Sequence, residues 1–150
     1  MKKGIQFALF LTGLFFLTSL NTPSVILIEN ESEPRINFFE GDWNAALVKA
    51  KKEGKLIFVD AYASWCGPCK MMDRKTFNDE AVAQFFNAKF INYKMDMEKH
   101  PEGARLAKKY NLTLYPTLYF LDHNEEIIHY ALGYHKPKHL LEVADEALKK

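Results

Sequence analysis

Only two of the 150 residues are cysteine, which excludes a framework of structural disulfides. Charge of one sign is also in short supply. Lys and Arg number 20 against 19 Asp and Glu, a net charge of +1. So small an excess gives no electrostatic basis for holding nucleic acid or an anionic membrane surface. There is no internal repeat and no low-complexity tract. A long hydrophobic run is missing too. The apolar stretch Ile5 to Leu20 is interrupted by Gln6, Thr12 and Gly13, and its length falls short of the about 20 residues a membrane span needs. What remains is ordinary core material, 48% hydrophobic, 14% aromatic and 26% charged. That suits one compact domain once the N-terminus is set aside.

Lys2 and Lys3 precede the apolar stretch, the pattern of a secretory signal peptide. We expect the leader over residues 1–21, with an uncleaved anchor as the rival reading, and a linker over 22–34 carrying Glu29, Glu31 and Glu33. No cysteine follows the run to accept a lipid. The expected location is the periplasm, or otherwise outside the cytoplasm, where disulfide chemistry is at home. Membrane contact is expected only through this segment, if it is retained.

The domain is expected over residues 35–150. Ile36, Phe38 and Phe39 suggest a short strand. Asp42 is a plausible N-cap for a helix with Trp43, Ala46, Leu47 and Ala50 on one face, ending at Gly54. Leu56 to Val59 is continuously apolar, as in a strand buried on both sides. A helix over Lys70 to Lys75 follows, then a cap at Asn78-Asp79 before Ala81, Val82, Phe85 and Phe86. Phe90 to Met95 reads as a strand, and Pro101 as the first turn of the next helix. Thr117 to Leu121 and Ile127 to Leu132 read as an antiparallel pair, and Pro137 to Lys149 as the closing helix. The predicted order is β-α-β-α-β-α-β-β-α, an α/β fold with a mixed central sheet and helices on both faces.

Both cysteines lie in the stretch from Lys55 to Lys70, as Cys66-Gly67-Pro68-Cys69. The spacing allows a mutual disulfide, a shared metal, or a nucleophile with a resolving partner. A thiolate is the attacking species, and a helix N-terminus stabilises one. Pro68 suits a first helical turn, Gly67 leaves the approach to Cys66 open, and Cys69 lies one turn on along the same face. A zinc site would need two of His100, His123, His129, His135 and His139 as further ligands. Zinc ribbons usually bring a second close ligand pair, and Pro68 favours the redox reading. The histidines read as surface or turn residues. Met71, Met72, Met95 and Met97 read as core filler. Lys49-Ala50-Lys51-Lys52 and Lys108-Lys109 read as solvated faces.

The segment Val59-Asp60-Ala61-Tyr62-Ala63-Ser64-Trp65-Cys66-Gly67-Pro68-Cys69-Lys70 resembles the active-site segment of thioredoxin. Tyr115-Pro116-Thr117 resembles that family's cis-proline loop. The likeness covers Ile36 to Lys150, and Lys75-Thr76-Phe77-Asn78-Asp79 with the leader looks closer to the exported thioredoxin-like reductases. Several roles are implied by the resemblance. Cys66 and Cys69 would form a redox disulfide, Cys66 attacking and Cys69 resolving. Asp60 would take the proton from Cys69; alone it would read as a satisfied polar residue at a strand end. Trp65, Gly67, Pro68 and Lys70 would support the site, and Tyr115, Pro116 and Thr117 would bind substrate backbone. No cofactor and no metal are implied. The partners would be disulfide-containing proteins and a membrane thiol electron donor, and the protein would be a monomer. The implied activity is reduction of protein disulfides. An oxidase or isomerase, or a non-catalytic binding or chaperone module, is the alternative.

Acidity of the attacking thiol contributes little. A thiol pKa near 7, as in thioredoxin, against about 8.5 for free cysteine gives roughly 15-fold more thiolate at pH 7. Lower nucleophilicity removes roughly fivefold of that. Deprotonation of Cys69 and positioning of the substrate carry more weight. Two departures from the family pattern bear on this. The lysine that pairs with the buried aspartate aligns with Asn92, leaving Lys94 able to serve only through a register shift. Tyr115 is larger than the aliphatic residue common before the cis-proline.

Overall fold

The computed structural model describes residues 34–150. The leader and nearly all of the expected linker lie outside the described residues. Asp42 accepts the Ala45 N–H at 2.7 Å and starts α1 (Trp43–Glu53), and Gly54 ends it at φ +62°, a left-handed conformation that favours glycine. β1 (Leu56–Tyr62) follows, then α2 (Gly67–Met71). The expected helix beyond Lys70 widens into a π turn (Met72–Thr76), with the Phe77 N–H reaching back to the Met72 carbonyl at 2.9 Å. Asp79 caps α3 (Glu80–Lys89) through the Val82 N–H, and β2 (Phe90–Asp96) follows. Pro101 stands just ahead of α4 (Gly103–Lys109) rather than inside it. β3 (Thr117–Leu121), β4 (Ile127–Leu132) and α5 (Pro137–Leu148) complete the chain.

The strand order is β2-β1-β3-β4, with β1 parallel to β2 and the other pairings antiparallel. Residues alternate across a strand, so neighbours in β1 serve opposite layers. Ile57, Val59 and Ala61 pack under α1 and α4 with Trp43, Ala46 and Leu106. Phe58 packs on the other side with Phe86, Phe120, Leu140 and Met72, under α3, α5 and the π turn. Its ring meets Phe86 edge to face at 4.7 Å. Asp60, two residues from Phe58, therefore points into the second layer.

The predicted strand at Ile36 to Phe39 does not form. Ile36 donates to the Phe77 carbonyl and Phe39 to the Asn92 carbonyl. Anchors at two separate places in the chain hold the segment without forming a ladder. His135 departs from the expected surface position. It is buried, with Nδ1 2.9 Å from the Gly133 carbonyl oxygen and its ring stacked on His139. Met72, Met95 and Met97 are buried core residues, as expected, and Met71 is half-buried.

Candidate redox site

β1 delivers the chain to a short loop from which α2 begins with Cys66 as its N-cap. Cys66 and Cys69 form a disulfide, with their Cα atoms 5.4 Å apart. The Cys69 N–H donates to Cys66 Sγ at 3.2 Å, so the helix directs a backbone donor at this sulfur. Both cysteines are buried against Ala63, Tyr62 and Tyr115. Pro68 lies in the first turn, where its missing N–H leaves no helical bond unmade. Gly67 is exposed, and a methyl group there would meet nothing within 4 Å. Lys70 points outward beyond the pair.

Trp65 is 66% exposed, yet two contacts fix its indole. Nε1 donates to Glu98 Oε2 at 2.9 Å, and the ring meets Tyr115 edge to face at 5.8 Å. The Tyr115–Pro116 peptide is cis. Thr117 is buried and donates from Oγ1 to the Leu114 carbonyl at 2.8 Å, while the Gly133 N–H holds the Pro116 carbonyl at 2.8 Å. The structure thus brings Tyr115, Pro116 and Thr117 to the cysteine end of the sheet. Burial, with Glu98 and Asp96 nearby, pushes the Tyr115 hydroxyl above its ordinary pKa.

Asp60 is fully buried, and its partner is Lys94. The expectation that Asn92 occupies the lysine position is overturned, and no register shift is needed. In the parallel ladder Asp60 stands opposite Lys94, whereas Asn92 stands opposite Phe58. Lys94 Nζ donates to Asp60 Oδ2 at 3.0 Å and also to Asp73 of the π turn. The rings of Tyr62, Phe38 and Phe77 surround the ammonium at 4.7, 5.3 and 5.5 Å. Asn92 is spent elsewhere, donating to the Asn37 carbonyl and to Asn87.

Among the described residues nothing hydrogen-bonds to Asp60 Oδ1. Burial, the largest influence, pushes the Asp60 carboxyl up to about 6, against the pull of Lys94, and Asp73 adds to the rise. On Lys94, burial acts downward, but Asp60 and Asp73 outweigh it and hold the ammonium above its ordinary pKa. A carboxyl tuned this way can exchange a proton near neutral pH. Asp73 and Glu98 were not anticipated from the sequence. Asp73 does follow Cys69 by four residues, the spacing at which helical side chains share a face.

Residues 20–144 match the family Thioredox_DsbH, described as a protein of unknown function, DUF255. The chain belongs to this thioredoxin-like family. Among the curated relatives, Thioredoxin H2 of Arabidopsis thaliana is 36% identical over 101 residues, covering 65% of the chain and 70% of the relative. The chain spans about two thirds of the length of the first thioredoxins it matches. The thiol:disulfide interchange protein DsbD of Actinobacillus pleuropneumoniae is 28% identical over 131 residues, which are 81% of the chain but 22% of that relative. A solved structure from Bacteroides thetaiotaomicron, described as a candidate disulphide-isomerase, is 39% identical, with a TM-score of 0.70. It covers 79% of the chain and 98% of its own. The thioredoxin-like fold predicted from the sequence is therefore the observed one. These relatives are thioredoxin- and DsbD-like thiol:disulfide oxidoreductases, and this chain carries a Cys-x-x-Cys pair, Cys66–Cys69, of their type.

Proposed function

We propose that this protein is an exported thiol:disulfide reductase acting on protein disulfides through Cys66 and Cys69. The observation that carries the reading is the Cys66–Cys69 disulfide at the start of α2, with a backbone N–H on the Cys66 sulfur. In the reduced protein the Cys66 thiolate attacks one sulfur of a substrate disulfide. A mixed disulfide forms, and the other substrate sulfur leaves as a thiolate. Cys69 then gives its proton to Asp60 and attacks Cys66 Sγ. The Cys66–Cys69 bond forms, the mixed disulfide breaks, and the second substrate sulfur departs. Two electrons pass to the substrate. Trp65 and the Tyr115-Pro116-Thr117 turn receive the substrate backbone beside the sulfurs.

The reducing direction is supported by Gly67-Pro68 between the cysteines, with no histidine there, and by the likeness to thioredoxins. Similarity to a thiol:disulfide interchange protein supports exchange with a thiol partner, and the proposed leader supports a location outside the cytoplasm, where a membrane thiol donor would supply the electrons. Residues 1–21 are the proposed leader or anchor. Among the described residues no helix is long and apolar enough to cross a membrane.

An isomerase or oxidase is the second reading, favoured by the Bacteroides thetaiotaomicron relative. Equilibration with glutathione separates the two. Potentials of about −270 mV for a thioredoxin and −120 mV for a strong oxidase differ by roughly 7 kcal/mol. A value well below about −180 mV is expected, and one well above it overturns the reducing direction. In the same preparation a Cys69→Ser variant should accumulate mixed disulfides with its substrates. A Cys66→Ser variant should accumulate none and lose turnover. Retained function in Cys66→Ser would point instead to a binding module.

A further inference from the structure

Lys94 is a single ammonium held by two carboxylates of different character. Asp60 is sealed in the core, whereas the Asp73 side chain is 41% exposed. The Lys94 side chain, 23% exposed, is fixed within the aromatic box of Tyr62, Phe38 and Phe77, so it is poorly placed to leave either partner. The π turn sets this geometry. Its wider ring buries Met72 and Thr76 in the second layer and leaves Asp73 at the rim, beside the ammonium. β1 contributes Asp60 and Tyr62, β2 carries Asp96 at its end, and β3 presents Leu118 opposite Asp60.

We propose that Asp73 is a positioning residue, which holds part of the Lys94 charge away from Asp60 and so sets how readily Asp60 takes a proton. Two carboxylates on one ammonium divide its attraction, and each feels the other's negative charge. Both effects make Asp60 easier to protonate than a lone Asp60–Lys94 pair would be. The direct influence of Asp73 on Asp60 acts in that upward direction. Removing the Asp73 charge delivers Lys94 wholly to Asp60. Asp60 then becomes more firmly ionised and a weaker base. The consequence for disulfide exchange rests on the reading of Asp60 as acceptor of the Cys69 proton.

The decisive measurement is a carbon-13 titration of the Asp60 carboxyl in the oxidised protein, for wild type, Asp73→Asn and Asp73→Glu. The Asp60 midpoint should move to lower pH in Asp73→Asn and return to the wild-type position in Asp73→Glu. A midpoint that stays in place or rises in Asp73→Asn overturns the proposal. So does an equal downward shift in Asp73→Glu, because that shift would reflect altered packing rather than charge. Single-turnover reduction of insulin disulfides as a function of pH tests the underlying reading separately. If Asp60 is the acceptor, the acid limb moves down with the Asp60 midpoint, and Asp73→Asn leaves the profile of Asp60→Asn unchanged. If the midpoint moves and the acid limb does not, the control of Asp60 by Asp73 stands and the acceptor role falls.

Discussion

Lys94 stands directly opposite Asp60 in the parallel β1–β2 ladder, and its Nζ reaches Asp60 Oδ2 at 3.0 Å. Pairing does not cancel the cost of burying this carboxylate, since its pKa still rises to about 6. Below the ordinary value of 3.8 the group is protonated whether folded or not, and its burial as an acid costs nothing in ionisation. As pH rises through about 6 the folded protein must hold a charge it disfavours, and stability falls. The rise from 3.8 to about 6 corresponds to about 3 kcal/mol at most. Asp60→Asn should therefore stabilise the oxidised protein at pH 8 by up to about 3 kcal/mol, with the gain vanishing near pH 3. Urea unfolding at the two pH values measures it. An equal effect at both would sink the account.

Removing the cation has the opposite sign. Lys94→Met keeps the stem among Tyr62, Phe38 and Phe77 but strips Asp60 of its counter-charge. The Asp60 midpoint should climb above about 6, and stability should fall more at pH 8 than at pH 5. At pH 5 the buried group can simply stay protonated. If Asp60 accepts the Cys69 proton, turnover at pH 7 should decline, because less of the basic form is present. Paired unfolding curves and a pH–rate profile check both statements.

Trp65 combines exposure with a fixed pose, held by Glu98 and Tyr115. An exposed indole that loses little freedom on binding is a good anchor for a partner. Trp65→Ala should raise KM for a protein disulfide by roughly 10-fold or more, about 1.4 kcal/mol or more of binding energy. Reduction of a small aromatic disulfide should change far less. Equal losses on both substrates would assign Trp65 to the chemistry rather than to binding.

Much of this site could be read without coordinates. Cys66, Cys69, Asp60 and Pro116 carry a spacing that few other arrangements share, and local signals such as the Asp42 and Asp79 caps mark the helices around them. The Lys94 pairing was accessible too. Strands starting at Leu56 and Phe90, paired in parallel from their first residues, put Asp60 opposite Lys94 four positions on. Asn92, two residues earlier on the same strand, stands opposite Phe58 instead. The π turn was not legible, since Met72–Thr76 carries no proline or glycine to mark a widened ring. Nor was the loss of the Ile36–Phe39 strand. It depends on where the Phe77 and Asn92 carbonyls lie, far off in the chain.

Gly103 opens α4 against the carbonyl of Met97. A β-carbon there would lie 2.4 Å from Met97 O and 2.8 Å from its carbon. Both are backbone atoms, and the Met97 N–H is tied to the Tyr62 carbonyl at the end of β1. Neither can retreat without moving the strand that leads to the cysteines. Gly103→Ala should cost about 1–3 kcal/mol despite alanine's better helix propensity. A raised melting temperature in this variant would contradict the geometry.

At the far turn, between β3 and β4, Glu125 gathers three elements. Its Oε1 accepts from the buried Trp43 indole at 2.6 Å, and Arg105 of α4 grips both carboxylate oxygens at 2.6 and 2.8 Å. The Arg105 bond, the largest influence, holds the Glu125 pKa down at about 2. Its stabilising effect is therefore complete above the ordinary value of 4.5 and is lost as pH falls through about 2. Glu125→Gln keeps an acceptor for Trp43 but removes the charge and puts an amide donor where Oε2 accepts from Arg105 and Lys109, whereas Glu125→Ala strands the indole N–H as well. The backbone at this position has φ +63°, a strain common to all three side chains, so it cancels from the comparison. At pH 7 Glu125→Ala should lose about 1–3 kcal/mol more than Glu125→Gln. The deficit of Glu125→Gln relative to wild type should shrink between pH 5 and pH 2, as wild-type Glu125 itself becomes neutral. A deficit unchanged across that range would show that the Arg105 charge pair contributes nothing.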